Sequence, residues 1–240
     1  MNLPVLNGII DRRMLINYRV DPHAVKNILP KKFEPLVING YASGGICLLR
    51  LRNIGFKYSP SLLRITSENA AHRFLVKWIE GGKERRGVYI PRRDTDSFLN
   101  VWLAGKLFAW PHYAAKFKTR EGDGNYFLEM QSSDRKTGVM VSAKTGHPFP
   151  THSMFDSVEH ASACFRDCCI GYSPSAKTNH FKTIELRTKN WAVKPLAVKD
   201  LHSSFFEDPS LFPKGTVQFD HALLMENIAH EWHALAAGTN

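Results

Sequence analysis

Three tight-turn signals punctuate this chain: Asn39-Gly40, Gly81-Gly82 and the stretch Gly122-Asp123-Gly124. Each stands between runs of β-prone residues. Asn-Gly and Asp-Gly favour two-residue hairpins, because these residues accept the left-handed backbone that such turns need. The flanking runs read as strands. They include "RMLINYRV", "EPLVINGYASGGICLLRLRNIG" and "HRFLVKWIEGGKERRGVYIP", the last with Phe74, Val76 and Trp78 on one face. More follow in "AKFKTREGDGNYFLEMQSSDRKTGVMVSAKTG" and "FKTIELRTKNWAVKPLAVKDLHSSFFED". Four segments carry helical signals instead. "DPHAVKNILP" has Asp21 as N-cap, Pro22 at the first helical position and Pro30 as stop. "SFLNVWLAGKLF" puts Phe98, Val101, Trp102, Gly105 and Phe108 on one face, capped by Ser97 or Asp96, with Pro111 beyond. "DSVEHASACFRDCCIGY" offers Asp156 as cap and Glu159 as the capping-box partner. "FDHALLMENIAHEWHAL" predicts a last helix capped near Asp220. Strands dominate, and the helices show no regular βαβ alternation. The expected class is α+β with a large, mostly antiparallel sheet or barrel. No linker-like stretch divides the chain, so 1–240 is expected to form one domain.

At 240 residues, 43% of them hydrophobic, the chain can bury a core without staples. No segment approaches the roughly 18–20 apolar residues that a spanning helix requires. The start, "MNLPVLNGIIDRRM", lacks a basic head followed by an apolar stretch, so the expected compartment is the cytoplasm. Four cysteines fit that expectation: Cys47 alone, and Cys164, Cys168 and Cys169 together. They form no C-x-x-C pairs, so they read as small buried thiols and not as a zinc site. The net charge of +10 points to an anionic partner. The basic residues are scattered in "DRR", "PKKF", "LLRLR", "GGKERRG" and "PRRD", with no block or basic helix of the kind that grips nucleic acid. Such scattered charge reads first as a solvated surface; nucleic acid is the weaker expectation, and a phosphate- or carboxylate-bearing small molecule stays open.

Familiar catalytic motifs are missing. There is no phosphate loop, no G-x-G-x-x-G between strand and helix, and no G-x-S-x-G elbow. "HEWHAL" is not H-E-x-x-H: His230 and His233 are three apart, so no metal is expected. "YIPRRDTDSFL" places Arg92 and Arg93 at a strand-to-helix junction, where arginines can clamp a carboxylate bidentately. Glu68 precedes a strongly apolar strand, where a cavity edge would raise its pKa and suit it to acid–base work.

Longer segments resemble a known family. "INYRVDPHAVKNILPKKFEPLVINGYAS" is similar to the opening of the acetoacetate decarboxylase-like superfamily: a strand, Tyr-Arg, Asp, a short helix and a Leu-Pro exit. "RGVYIPRRDTDSFLNVWLAGKLFAWPHYAAKF", "VEHASACFRDCCIGYS" and "WAVKPLAVKDLHSSFFED" resemble its uncharacterised YqjF-like branch. The resemblance implies an antiparallel β-barrel or cone flanked by a few helices, with an interior pocket. In the decarboxylases that pocket holds a Schiff-base lysine, within a Tyr-Pro-Lys-Lys motif. Here the matching segment reads Trp110-Pro111-His112-Tyr113, so both lysines are replaced. A histidine cannot form an imine with a ketone. Lys106 and Lys116 lie near but outside the slot. Glu68 falls where the family's pocket glutamate sits, and the family's pocket arginine falls near Asp11-Arg12-Arg13, with Arg12 the assigned residue.

The expectation is a pocket that binds a small organic acid or keto metabolite without a cofactor. His112, Glu68 and Tyr113 would serve as its reactive residues, and Arg92, Arg93, Arg12 and Trp110 would contact the ligand. The rivals are a lyase or hydratase running His112/Glu68 acid–base chemistry without an imine, and a nucleic-acid module. Self-association into a homo-oligomer is left open.

Overall fold

The computed structural model describes residues 5–58, 60, 64–103, 111–175 and 181–235. The dominant elements are long strands: β1 (Val5–Val20), β4 (Tyr41–Phe56), β5 (Ile65–Glu80), β6 (Lys83–Thr95) and β13 (Val217–Leu235). The shorter strands are β2 (Glu34–Pro35), β3 (Val37–Ile38), β7 (Tyr113–Gly122), β8 (Asn125–Ser132), β9 (Gly138–Lys144), β10 (Ile170–Pro174), β11 (Phe181–Thr188) and β12 (Lys194–Ser203). Among the described residues three short helices accompany them: α1 (Pro22–Ile28), α2 (Phe98–Leu103) and α3 (Val158–Asp167).

All three turn signals close hairpins. Asn39 and Gly40 both take positive φ between paired Ile38 and Tyr41. Gly81-Gly82 joins Glu80 to Lys83, and Asp123-Gly124 joins Gly122 to Asn125. Helix α1 also forms as its sequence predicts: the Asp21 carboxylate accepts from the His23 N–H, and a proline opens the helix. Ser97 caps α2, accepting from the Asn100 N–H. Phe98, expected on the packed face, is instead 77% exposed, while Gly105 and Phe108 lie outside the described residues.

Two expectations need correction. Ser157, not Asp156, caps α3: its hydroxyl accepts from the His160 N–H, and Asp156 pairs with the His160 ring. The segment read as a last helix is β13. It pairs with β1 along one edge, and with β12 and then β11 along the other. Asp220 to Met225 are consecutively buried, so both faces of this strand are covered and the alternation that marks a half-exposed strand is lost.

Pairing closes the sheet twice. The sequence β13-β1-β4-β5-β6-β10-β11 returns to β13, and β13-β1-β4-β5-β6-β7-β8-β9-β12 does so as well. Two rings thus share one wall of five long strands and fork at β6 and β13. The partners are antiparallel apart from two short parallel contacts, β6–β7 and β6–β10. This is the expected sheet-rich barrel with few helices. Each face of the shared wall has its own core. One face contributes Met14, Ile16, Leu48, Phe74 and Leu224, which pack with β8 and β9. The other contributes Leu15, Cys47, Leu51, Ala71 and Ile90, which pack under α3.

Candidate functional site

A cavity of about 470 Å³ lies on the second face, inside the smaller ring. Strands β1, β4, β5 and β6 form its floor, and α3, β11 and Trp191 roof it. The floor residues follow the period of two. On β5 the side chains of Ser67, Asn69, Ala71 and Arg73 line it, and on β4 those of Cys47, Leu49 and Leu51. Arg13 from β1 and Arg93 from β6 join Arg73, so three guanidiniums meet one enclosed space.

The partners of Arg13 and Arg73 among the described residues are weak or neutral. The Arg13 Nε donates to the Cys47 Sγ at 3.0 Å, and its guanidinium lies 5.7 Å from the Trp191 ring. Arg73 is 3% exposed, stacks 4.8 Å over Phe165, and donates to the Asn17 Oδ1 at 2.6 Å. Its Nε and other terminal nitrogen have no hydrogen-bond partner among the described residues. The Arg93 Nε donates to the Ser173 hydroxyl at 3.2 Å. Burial pushes both Arg73 and Arg93 down to about 10, which leaves them charged at neutral pH. Neither Arg13 nor Arg73 has a carboxylate within ion-pair distance among the described residues. A buried cation without a counter-ion is costly, so a site of this kind favours an anion.

Behind Arg73 a chain of hydrogen bonds fixes its partner. The Asn17 Nδ2 faces the His221 Nε2 at 3.0 Å, and the His221 Nδ1 faces the Asp220 carboxylate at 2.6 Å. Asp220 also accepts from the Ser153 hydroxyl and the Met154 N–H. Since Nδ2 can only donate, His221 accepts on Nε2 and carries its proton on Nδ1, toward Asp220. That tautomer leaves Asn17 Oδ1 turned to Arg73. Burial keeps the His221 pKa below its ordinary value.

The residues named from sequence divide between the two faces. Arg93 and His112 line the cavity, and His112 is half-buried there. Arg12 and Glu68 do not. They meet on the opposite face, where Arg12 bonds Glu68 and Glu121, and the Arg50 Nε donates to Glu68 at 2.6 Å. Arg92 and Tyr113 also sit away from the cavity: Arg92 forks onto Asp94 and Asp134 and lies 4.0 Å over the Tyr113 ring. Trp110 and Lys106 lie outside the described residues, and Lys116 is exposed on β7. Among the described lining residues there is no lysine. The cause of the division is the strand itself. Neighbouring residues point to opposite faces, so Arg12/Arg13 and Arg92/Arg93 are each split by the sheet. The same rule separates Glu68 from Ser67 and Asn69, and so from His112.

Sequence reasoning bracketed Arg13 but assigned its neighbour Arg12, and it passed over Arg73 and Asn69. The available signal was alternation: Arg73 and Leu75 fall out of step with Phe74, Val76 and Trp78, which had already been placed on one face. His230 and His233, considered for a metal, stand on opposite faces of β13. His230 packs against Trp232, and His233 bonds Glu231. On α3, Cys164 and Cys168 share a face, and their mutual hydrogen bond lowers the Cys164 pKa while Cys168 is raised.

A family model described as an uncharacterized conserved protein, DUF2071, matches residues 10–224. The chain belongs to this family. No curated protein matches it. Among solved structures it is similar to an acetoacetate decarboxylase from Legionella pneumophila, at 13% identity and a TM-score of 0.63 over 99% of this chain and 90% of that one. The enduracididine biosynthesis enzyme MppR, solved with pyruvate, matches at 13% identity and a TM-score of 0.61, over 99% and 91%. An acetoacetate decarboxylase-like enzyme from Sphingomonas wittichii matches at 9% identity and 0.58, over 99% and 92%. At such identities the likeness establishes the acetoacetate decarboxylase-like fold. No helix among the described residues is long and apolar enough to cross a membrane.

Proposed function

We infer that this DUF2071 protein binds a small carboxylate, of the keto-acid class, in the cavity of the smaller ring, and that it does so without forming an imine. The observation that carries this reading is the convergence of Arg13, Arg73 and Arg93 on one enclosed space, with no carboxylate partner for the first two among the described residues. Fixed guanidiniums in a low-dielectric site bind carboxylates through paired, charge-assisted hydrogen bonds. The amides of Asn69 and Asn100 and the ring of His112 stand along the same wall, where they can accept from or donate to a neighbouring keto or hydroxyl oxygen. MppR, which shares the fold, was solved with pyruvate, and this supports the ligand class. The imine is disfavoured because His112 stands where the resemblance places the reactive lysine.

Calorimetric titration with pyruvate and acetoacetate tests the reading. Saturable binding is expected, at least about tenfold weaker in Arg13→Met and in Arg73→Met, the loss of one charged hydrogen bond. Borohydride added to the mixture is expected to leave every lysine unmodified by mass. A lysine adduct, or binding indifferent to both substitutions, overturns it.

A further inference from the structure

The cavity is too large and too apolar along most of its length for a three-carbon keto acid. Such an acid has six non-hydrogen atoms, and at roughly the 30 Å³ of a water molecule apiece it fills well under half of 470 Å³. The arginines are gathered at one end; farther along, the neutral Ser67 and Asn69 of β5 stand opposite Leu51 and Leu49 of β4, so one side of the cavity there is polar and the other apolar. Arg13, Arg73 and Arg93 cluster at the level of Cys47 on β4: Arg13 bonds the Cys47 sulfur, and both Arg73 and Arg93 lie beside residues paired to that stretch. From there the floor of β4 runs through Leu49, Leu51 and Ile54 to Phe56, with Ile65 of β5 alongside. At about 3.3 Å per residue this apolar run extends on the order of 20 Å. Arg73 is 3% exposed, Leu51 and Ile54 are buried, and only at the far end does the lining open, to 38% at Phe56 and 45% at Leu99 of α2. The charged end is the buried end, and the mouth is apolar.

We propose that the ligand is an amphiphilic carboxylate, a medium-chain or longer acyl acid, that enters head first, places its carboxylate among Arg13, Arg73 and Arg93, and lays its chain along Leu49, Leu51 and Ile54. The proposal rests on the carboxylate site inferred above and adds the tail. A hydrophilic ligand would leave the Leu49–Phe56 wall facing water, whereas an acyl chain removes that surface from solvent. The arrangement also sets the polarity of entry. A carboxylate arriving last would remain at the apolar mouth, away from its counter-charges.

Titrations of the intact chain with sodium acetate, butanoate, octanoate and pyruvate, and with 1-octanol, decide the matter. Affinity is expected to rise on the order of a hundredfold from butanoate to octanoate, as burial of four methylenes requires. Octanol is expected to bind far more weakly than octanoate. Ile65→Glu, at the half-buried end of the wall, is expected to remove the gain of octanoate over butanoate. Affinity that is flat from acetate to octanoate, while pyruvate still binds, overturns the tail and leaves the carboxylate site standing. Octanol binding as tightly as octanoate overturns the head-first placement. Absence of binding by every carboxylate removes the site and the tail together.

Discussion

Arg73→Met should make the protein more stable while it weakens ligand binding at least about tenfold. The side chain is 3% exposed, and burial lowers its guanidinium to a folded-state pKa of about 10, well below its value in water. The folded state therefore disfavours the charged form. The penalty is present in full below pH 10, fades as pH rises from there toward the unfolded value, and is gone above it. A drop of that size corresponds to about 3 kcal/mol. Methionine has a similar length, packs on Phe165 through its thioether and carries no charge. Against the gain stands the Asn17 Oδ1, which loses its 2.6 Å donor, at about 1–2 kcal/mol. The balance is about 1–2 kcal/mol of stabilisation, or roughly 5 °C in Tm for a chain of this size. Urea unfolding and thermal melts at pH 7, with pyruvate titrated in parallel, measure both halves. A fixed ligand concentration should raise the melt of the original protein more than that of the variant. A variant less stable than the original by 1 kcal/mol or more, or one that binds as before, would refute the claim that Arg73 is a buried cation kept for an anion.

Two further outcomes follow from groups outside the cavity. His72 and His230 are buried, and desolvation lowers them to about 3 and about 4. Both stay neutral in the fold while the unfolded chain takes up protons below 6.5, so stability should fall as pH drops through that value, by about 2 kcal/mol per histidine at pH 5. Urea unfolding at pH 7 and pH 5 should show this loss, and His72→Phe should remove about half of it. Glu68→Gln leaves Arg12 with Glu121 alone and should cost about 2 kcal/mol in the same assay. It should leave calorimetric pyruvate affinity unchanged, because the sheet stands between Glu68 and the cavity.

The parts of this fold legible in the sequence are those decided by neighbours in the chain. Asn39-Gly40 and Asp123-Gly124 fix their hairpins through backbone preference alone, and Asp21-Pro22 starts α1 through a bond two residues long. β13 was illegible for the opposite reason. Its Ala, Leu, Met and Glu residues favour helix intrinsically, and what makes the segment a strand is β1, two hundred or so positions earlier, together with β11 and β12. The site was half legible. Arginine pairs at the right places marked β1 and β6, yet which member of each pair faces the cavity depends on register, and a bulge or a one-residue slip exchanges the two. Bulges interrupt β1 between Ile10 and Arg12 on its β4 edge, just before the first pair.

The pairing of β1 with β13 bears on how the molecule is made. During synthesis β1 leaves the ribosome early, and β4 and β5 can dock on one of its edges soon afterwards. Its other edge waits for residues 217–235. At 5–20 residues per second that wait lasts on the order of ten seconds or more. Through that interval the nascent chain presents a long, apolar, unpaired strand, the kind of surface that chaperones cover and that neighbouring nascent chains can capture.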